Sequence, residues 1–260
     1  MNELFNLARS DFLSLFFIFI RIGTIFAIVP FFNAETIPRR VTTTIAFFLS
    51  LVLLPIVPPV KVNPEQLNVL MFASIVLQQV LIGVALGLAI DVIYAGIQIA
   101  GELIGFQMGF SIANVVDPMS GISVPIISNV LYITAFLLFF TLNGHYMLIK
   151  GMVESFSIIP IGESVLHRDF LMGVITYAGQ MFVIGVKVAA PVIGILLLIN
   201  IALAVITRAL PQMNVFMMAF PLTISVGLIF TVLIIKMMPV FMTGSLEKAW
   251  VFMKSAMALF

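Results

Sequence analysis

The chain has 260 residues, of which 62% are hydrophobic and 9% charged, with a mean hydropathy of +1.26. A water-soluble domain is about half apolar and a quarter charged, so this much apolar side chain must be covered by lipid or by other membrane subunits. The formal net charge is +1 and cysteine is absent, which excludes a basic nucleic-acid surface, disulfides, iron–sulfur clusters and thiol chemistry. Two histidines with no cysteine argue against a zinc site.

The first apolar stretch, Phe12–Pro30, exceeds the hydrophobic core of a signal peptide and contains Arg21. No small-residue cleavage site follows it, so it is expected to be a span. Stretches of membrane length follow at Val41–Val57, Leu70–Ile90, Val124–Leu142, Tyr177–Ile206 and Val215–Met238. A further one, Val92–Phe110, is interrupted by Glu102 and glycines. In lipid the backbone must satisfy its own hydrogen bonds, so each is predicted to be helix. The expectation is an all-α membrane protein, a single integral domain over 1–260 with about six long apolar helices in hairpins. Pro191 and Pro221 predict bends or breaks in the last two spans. As one helix, Leu70–Phe110 would reach about 60 Å, twice the hydrocarbon thickness. It is therefore expected to turn back, kink or leave the bilayer plane. Over six spans, Arg9, Lys61, Lys150, Arg168, Lys236, Lys248 and Lys254 share one side. That count favours cytoplasmic termini; Arg39, Arg40 and Arg208 count against it. Residues 171–260 read as a helical hairpin turning at Arg208–Asn214.

Three features could carry function. Gly83, Gly87, Asp91 and Ala95 recur every four residues, as do Gly101, Gly105 and Gly109. Small residues at that spacing let a second backbone approach, either a sister subunit or another helix of the same chain. Arg21, Asp91, Glu102 and Lys187 are charges at membrane depth, expected to be buried. Each costs about 2.5–3.5 kcal/mol at the bilayer centre on insertion scales. They could form a proton relay, but two acids and two bases without clustering favour a structural role. The segment 106–124 joins apolar stretches yet is itself apolar, with Phe106, Met108, Phe110, Val115, Val116 and Met119. A solvated connector would be more polar, so this one is expected to be tucked into protein, as a pore plug or at an interface. Methionines 213, 217, 218, 237, 238 and 242 gather near the C-terminal hairpin. Catalytic motifs such as G-x-S-x-G, H-E-x-x-H and G-x-x-x-x-G-K do not occur. No enzyme activity, cofactor or metal is expected.

Three motif groups resemble the FliR family: Arg21-Ile22-Gly23-Thr24 with Pro30-Phe31-Phe32 and Ile37-Pro38; Gly101-Glu102-Leu103-Ile104-Gly105 with Met108-Gly109-Phe110 and Asp117-Pro118; and Leu142-Asn143-Gly144-His145 with Glu154-Ser155-Phe156 and Pro160-Ile161-Gly162. Lys187-Val188-Ala189-Ala190-Pro191, Gln212-Met213-Asn214 and Phe220-Pro221 are similar to the sister protein FliQ. The resemblance implies a FliP-like part over 1–170 joined to a FliQ-like hairpin over 171–260. It implies a core subunit of the flagellar type III export gate in the bacterial inner membrane, at the flagellar basal body. FliP, FliQ and FlhB would be its partners and unfolded flagellar subunits its cargo. It further implies that loop 106–124 plugs the pore, with Phe106, Met108, Phe110, Val115, Val116 and Met119 as sealing residues. The rival reading is a secondary transporter or ion channel coupled through Arg21, Asp91, Glu102 and Lys187.

Overall fold

The computed structural model describes residues 2–32, 37–58, 68–110, 125–162, 167–209 and 215–260. These residues form helices α1 (Asn2–Ile28), α2 (Arg39–Leu53), α3 (Val69–Met108), α4 (Ile126–Thr141), α5 (Gly144–Ile158), α6 (Arg168–Ala178), α7 (Gln180–Ala209) and α8 (Val215–Leu259). No strand occurs among the described residues. The protein is an all-α membrane protein. Helical hydroxyls close onto their own backbone: Thr24, Thr134, Thr176, Thr207 and Thr231 each donate to the carbonyl four residues earlier, at 2.7–2.8 Å. No hydroxyl donor of these threonines is then left bare in an apolar setting.

Four segments are long and apolar enough to cross a membrane: Asp11–Ile28, Val69–Met108, Arg168–Ala209 and Met218–Leu259. Ile126–Thr141 and Gly144–Ile158 qualify only when taken together. The chain turns between them at Asn143, which is left-handed at φ 58°; asparagine is among the few side chains that tolerate this.

Two sequence expectations are corrected. Val41–Val57 is not a full span: α2 has 15 residues and stops at Leu53, about 22 Å of helix. Pro55 sits just beyond, where the helix gives way to tight turns from Ile56 and Val57 N–H to Leu53 O, both 2.9 Å. The run from Leu70 does not turn back: α3 is a single helix of 40 residues. α7 continues through Pro191 and α8 through Pro221 and Pro239, so neither helix breaks at its proline.

The chain divides into two compact units, one of residues 1–92, 143–178 and 246–260, the other of 93–142 and 179–245. In unit one, α2 lies against α1 with Phe19 and Phe47 edge to face at 6.1 Å. The Tyr177 hydroxyl donates to Ala89 O at 3.0 Å, and its ring stacks on Phe252 at 3.8 Å. In unit two, helices meet at glycines. A Cβ at Gly96 would lie 2.4 Å from Ile184, and one at Gly185 would lie 2.7 Å from Ile99, so α3 and α7 each present a gap to the other. The tightest approach is Gly101, where a Cβ would lie 2.2 Å from Ser128 Cα. That obstacle is backbone and cannot rotate away. The Ser128 hydroxyl donates to Gln98 O at 3.1 Å across the same contact.

G101A is accordingly expected to force α3 and α4 apart and to destabilise the protein by about 1–3 kcal/mol. A Cβ at Gly194 would meet nothing within 4 Å, so G194A is expected to be neutral or stabilising by about 0.5–1 kcal/mol. Thermal unfolding of the purified protein in detergent checks both, and equal midpoints for the two variants would contradict the packing.

Candidate functional site

The end of α3 carries the root of the apolar loop. Phe110 N–H donates to Gly105 O at 3.1 Å and Gly109 N–H to Phe106 O at 3.0 Å. Gly109 has φ +91°. This pair of bonds around a left-handed glycine is a Schellman stop, in which orphan carbonyls of the last turn are satisfied and the chain leaves the helix axis at a fixed point.

Unit two locks the stop in place. Met108 is 0% exposed and fills the space beside Gly227, where a Cβ would lie 2.6 Å from its Cγ. The Thr223 hydroxyl on α8 lies within hydrogen-bonding reach of Met108 O at 3.3 Å. A Cβ at Gly109 would lie 2.9 Å from the Phe220 ring. Met108, expected among the sealing side chains, is thus an internal anchor whose surface is consumed by α8. Phe106 is 69% exposed and Phe110 partly exposed. Val115, Val116 and Met119 lie outside the described residues.

The glycine series divides in the same way. Gly83 packs on Thr24 and on Arg21 O, Gly87 on Ile28, and Gly101 on Ser128. These three serve packing within the chain. Gly105 has only the Phe110 ring nearby, at 4.0 Å from a would-be Cβ, and Gly109 serves the helix stop.

The four charges do not form one class. Glu102 and Lys187 are exposed on the single chain and Asp91 is partly buried, so Glu102 and Lys187 do not join the buried set expected of them. Glu102 follows Gly101, the residue whose face meets Ser128, and one helical step turns its side chain away from that contact. Arg21 is 0% exposed. Its Nε donates to Gln79 Oε1 at 2.8 Å, Nη1 to Ser155 O at 2.8 Å and to Ser155 Oγ at 3.1 Å, and Nη2 to Ile159 O at 3.1 Å. Its Cζ stands 4.1 Å from the Phe156 ring centroid.

Ser155 and Ile159 belong to the C-terminal end of α5. The guanidinium therefore sits at the negative end of a helix dipole, where it shares Ser155 O with the Ile159 N–H and takes up the terminal carbonyl of Ile159. Carbonyls, an amide and an aromatic face compensate its charge, rather than a carboxylate. Gln79, Thr223 and Gly227 escaped the sequence reading. A polar pair, Gln78-Gln79, inside the apolar run from Leu70 was the available signal for the first.

Motif groups far apart in the sequence thus meet in space: Arg21 with Ser155 and Phe156 in unit one, and Met108-Gly109 with Phe220 in unit two. These features define an all-α membrane protein with a buried cationic tie and a fixed loop root. Residues 12–249 match the family described as bacterial export proteins, family 1, and the chain belongs to that family, the FliR family. It is similar to flagellar biosynthetic protein FliR of Bacillus subtilis, with 34% identity over 93% of this chain and 91% of the relative. FliR of Escherichia coli K12 is 34% identical over 80% of this chain and 79% of its own. FliR of Aquifex aeolicus is 31% identical over 88% of both.

R21A strips hydrogen bonds from Gln79 and from two carbonyls of α5 and leaves a cavity. It is expected to cost about 3–5 kcal/mol. R21K keeps the charge but not the planar fork and is expected to recover only part of this. Thermal unfolding of the purified protein decides the matter: an R21A midpoint equal to wild type would contradict the assigned role.

Proposed function

We propose that this chain is a core subunit of the flagellar type III export gate in the bacterial inner membrane. With FliP and FliQ it forms a pore through which unfolded flagellar subunits pass, and FlhB binds the same assembly. The FliR relatives are named for flagellar biosynthesis, which supports the process. A FliP-like part over 1–170 and a FliQ-like hairpin over 171–260 describe how the chain takes its place beside those partners. The role needs no covalent chemistry from any residue.

The observation that carries the plug reading is the locked helix stop at Gly109. An apolar segment starts from a root fixed by Met108, Thr223 and Phe220. A fixed root with an apolar continuation suits a stopper: it returns to one place, and its side chains close on each other or yield around a passing chain without specific bonds. Phe106, Phe110, Val115, Val116 and Met119 are the sealing residues in this reading, and Met108 holds the root. The transporter reading draws no support from Arg21, whose hydrogen bonds go to Gln79, Ser155 and Ile159.

Deleting part of Ile112–Gly121 leaves Met108–Phe110 in place. It is expected to preserve assembly with FliP and FliQ and to raise the ion conductance of the assembled gate in planar bilayers. Conductance equal to wild type in a fully assembled deletion variant would overturn the plug.

A further inference from the structure

A groove of about 500 Å³ opens on unit one, lined by Phe19, Arg39, Arg40, Thr43, Thr44 and Phe47. The Thr43 and Thr44 hydroxyls donate to Arg39 O at 2.9 Å and to Arg40 O at 2.7 Å. Their protons are committed to the helix, so the two guanidinium groups are the groove's free side-chain donors. Among the described residues no carboxylate pairs with either arginine. Both also sit at the positive end of α2, where cations are disfavoured. Three like-signed contributions at one point call for an anion.

The rest of α2 says what the anion is attached to. Phe47, Phe48 and Leu51 are 43%, 61% and 38% exposed. With Arg40 and Thr44 they fall at i, i+4, i+7, i+8 and i+11, one stripe along the helix that continues the groove. The stripe begins at Arg40 and runs for about 16 Å, close to the ~15 Å depth of one hydrocarbon leaflet. The opposite face, Ala46, Ser50 and Leu53, is buried. A helix too short to cross the bilayer thus has a doubly cationic end and a flank of one-leaflet length that ends in apolar side chains. Guanidinium groups at such an end reach the headgroup level while the helix stays in the chains.

We propose that the Arg39–Arg40 groove binds the phosphate of an anionic phospholipid, one acyl chain of which lies along Phe47, Phe48 and Leu51. Guanidinium pairs grip phosphate oxygens with fork geometry. The edge-to-face pair Phe19–Phe47 forms the apolar wall beneath the headgroup.

The test titrates delipidated full-length protein in detergent with phosphatidylglycerol and with phosphatidylcholine of the same acyl chains, and reads bound lipid by native mass spectrometry. Phosphatidylglycerol is expected to bind more tightly, and R39Q/R40Q to weaken it by about 30-fold, roughly fivefold for each charge. R208Q, an exposed arginine at the end of α7, is expected to leave binding unchanged. F48S/L51S is expected to weaken both lipids alike. Equal affinity of the two lipids for wild type would overturn the proposal, as would undiminished phosphatidylglycerol binding by R39Q/R40Q with a wild-type unfolding midpoint. Displacement of phosphatidylglycerol by millimolar inorganic phosphate would assign the groove to free phosphate and overturn it as well. In native membranes, a photo-cross-linker at position 48 should capture lipid. Capture of a polypeptide there instead would show that a protein occupies the stripe, against the proposal.

Discussion

One fully buried guanidinium organises unit one. Burying an unpaired charge costs several kcal/mol, and the structure offsets that cost with dipoles instead of a counter-ion. Arg21 reaches from α1 to Gln79 on α3 and to the carbonyl end of α5. Those partners are 58, 134 and 138 residues away in the chain. In lipid there is no water to take over any of these bonds, so a helix that slipped by one turn would strand a charge, an amide and the Ile159 carbonyl together. Apolar helices pack without strong preference for register. This tie supplies the preference, and Gly83 beside Arg21 O lets α1 and α3 come close enough to make it.

Unit two is held differently. Its contacts are glycine gaps filled by branched or flexible side chains: Ile184 at Gly96, Ile99 at Gly185, Met108 at Gly227. Small-residue contacts gain by close van der Waals packing and spread over many atoms. Such a unit fixes the helix stop at Gly109 through Met108, Thr223 and Phe220. In the gate reading this suits a chain that must close a passage without binding what passes. The exposed apolar side chains of α7, among them Phe182, Leu198, Ile201 and Val205, leave surface for lipid or for the sister subunits of that reading.

Composition and hydropathy made the all-α membrane class legible, and three separated motif groups made the family legible. Faces were not legible. α3 is apolar all round, so periodicity could not say that Gly101 packs on Ser128 while Glu102 next to it is exposed. The charge at Arg21 was visible, but its partners were not, because a hydrogen bond across 134 residues leaves no local trace. α2 was misjudged as a span because hydropathy counts residues through Pro55, whereas the helix ends at Leu53. Met108 looked like one more apolar loop residue. Only the left-handed Gly109 and the neighbouring α8 show it to be the anchor of a helix stop.

Whether this chain is a gate subunit is tested most directly by its company in the membrane. Mild-detergent purification of the tagged chain from native membranes, followed by mass spectrometry of the intact complex, should yield one assembly containing FliP and FliQ with this protein. Recovery of the chain alone or as a small homo-oligomer, active in solute flux after reconstitution, would contradict it.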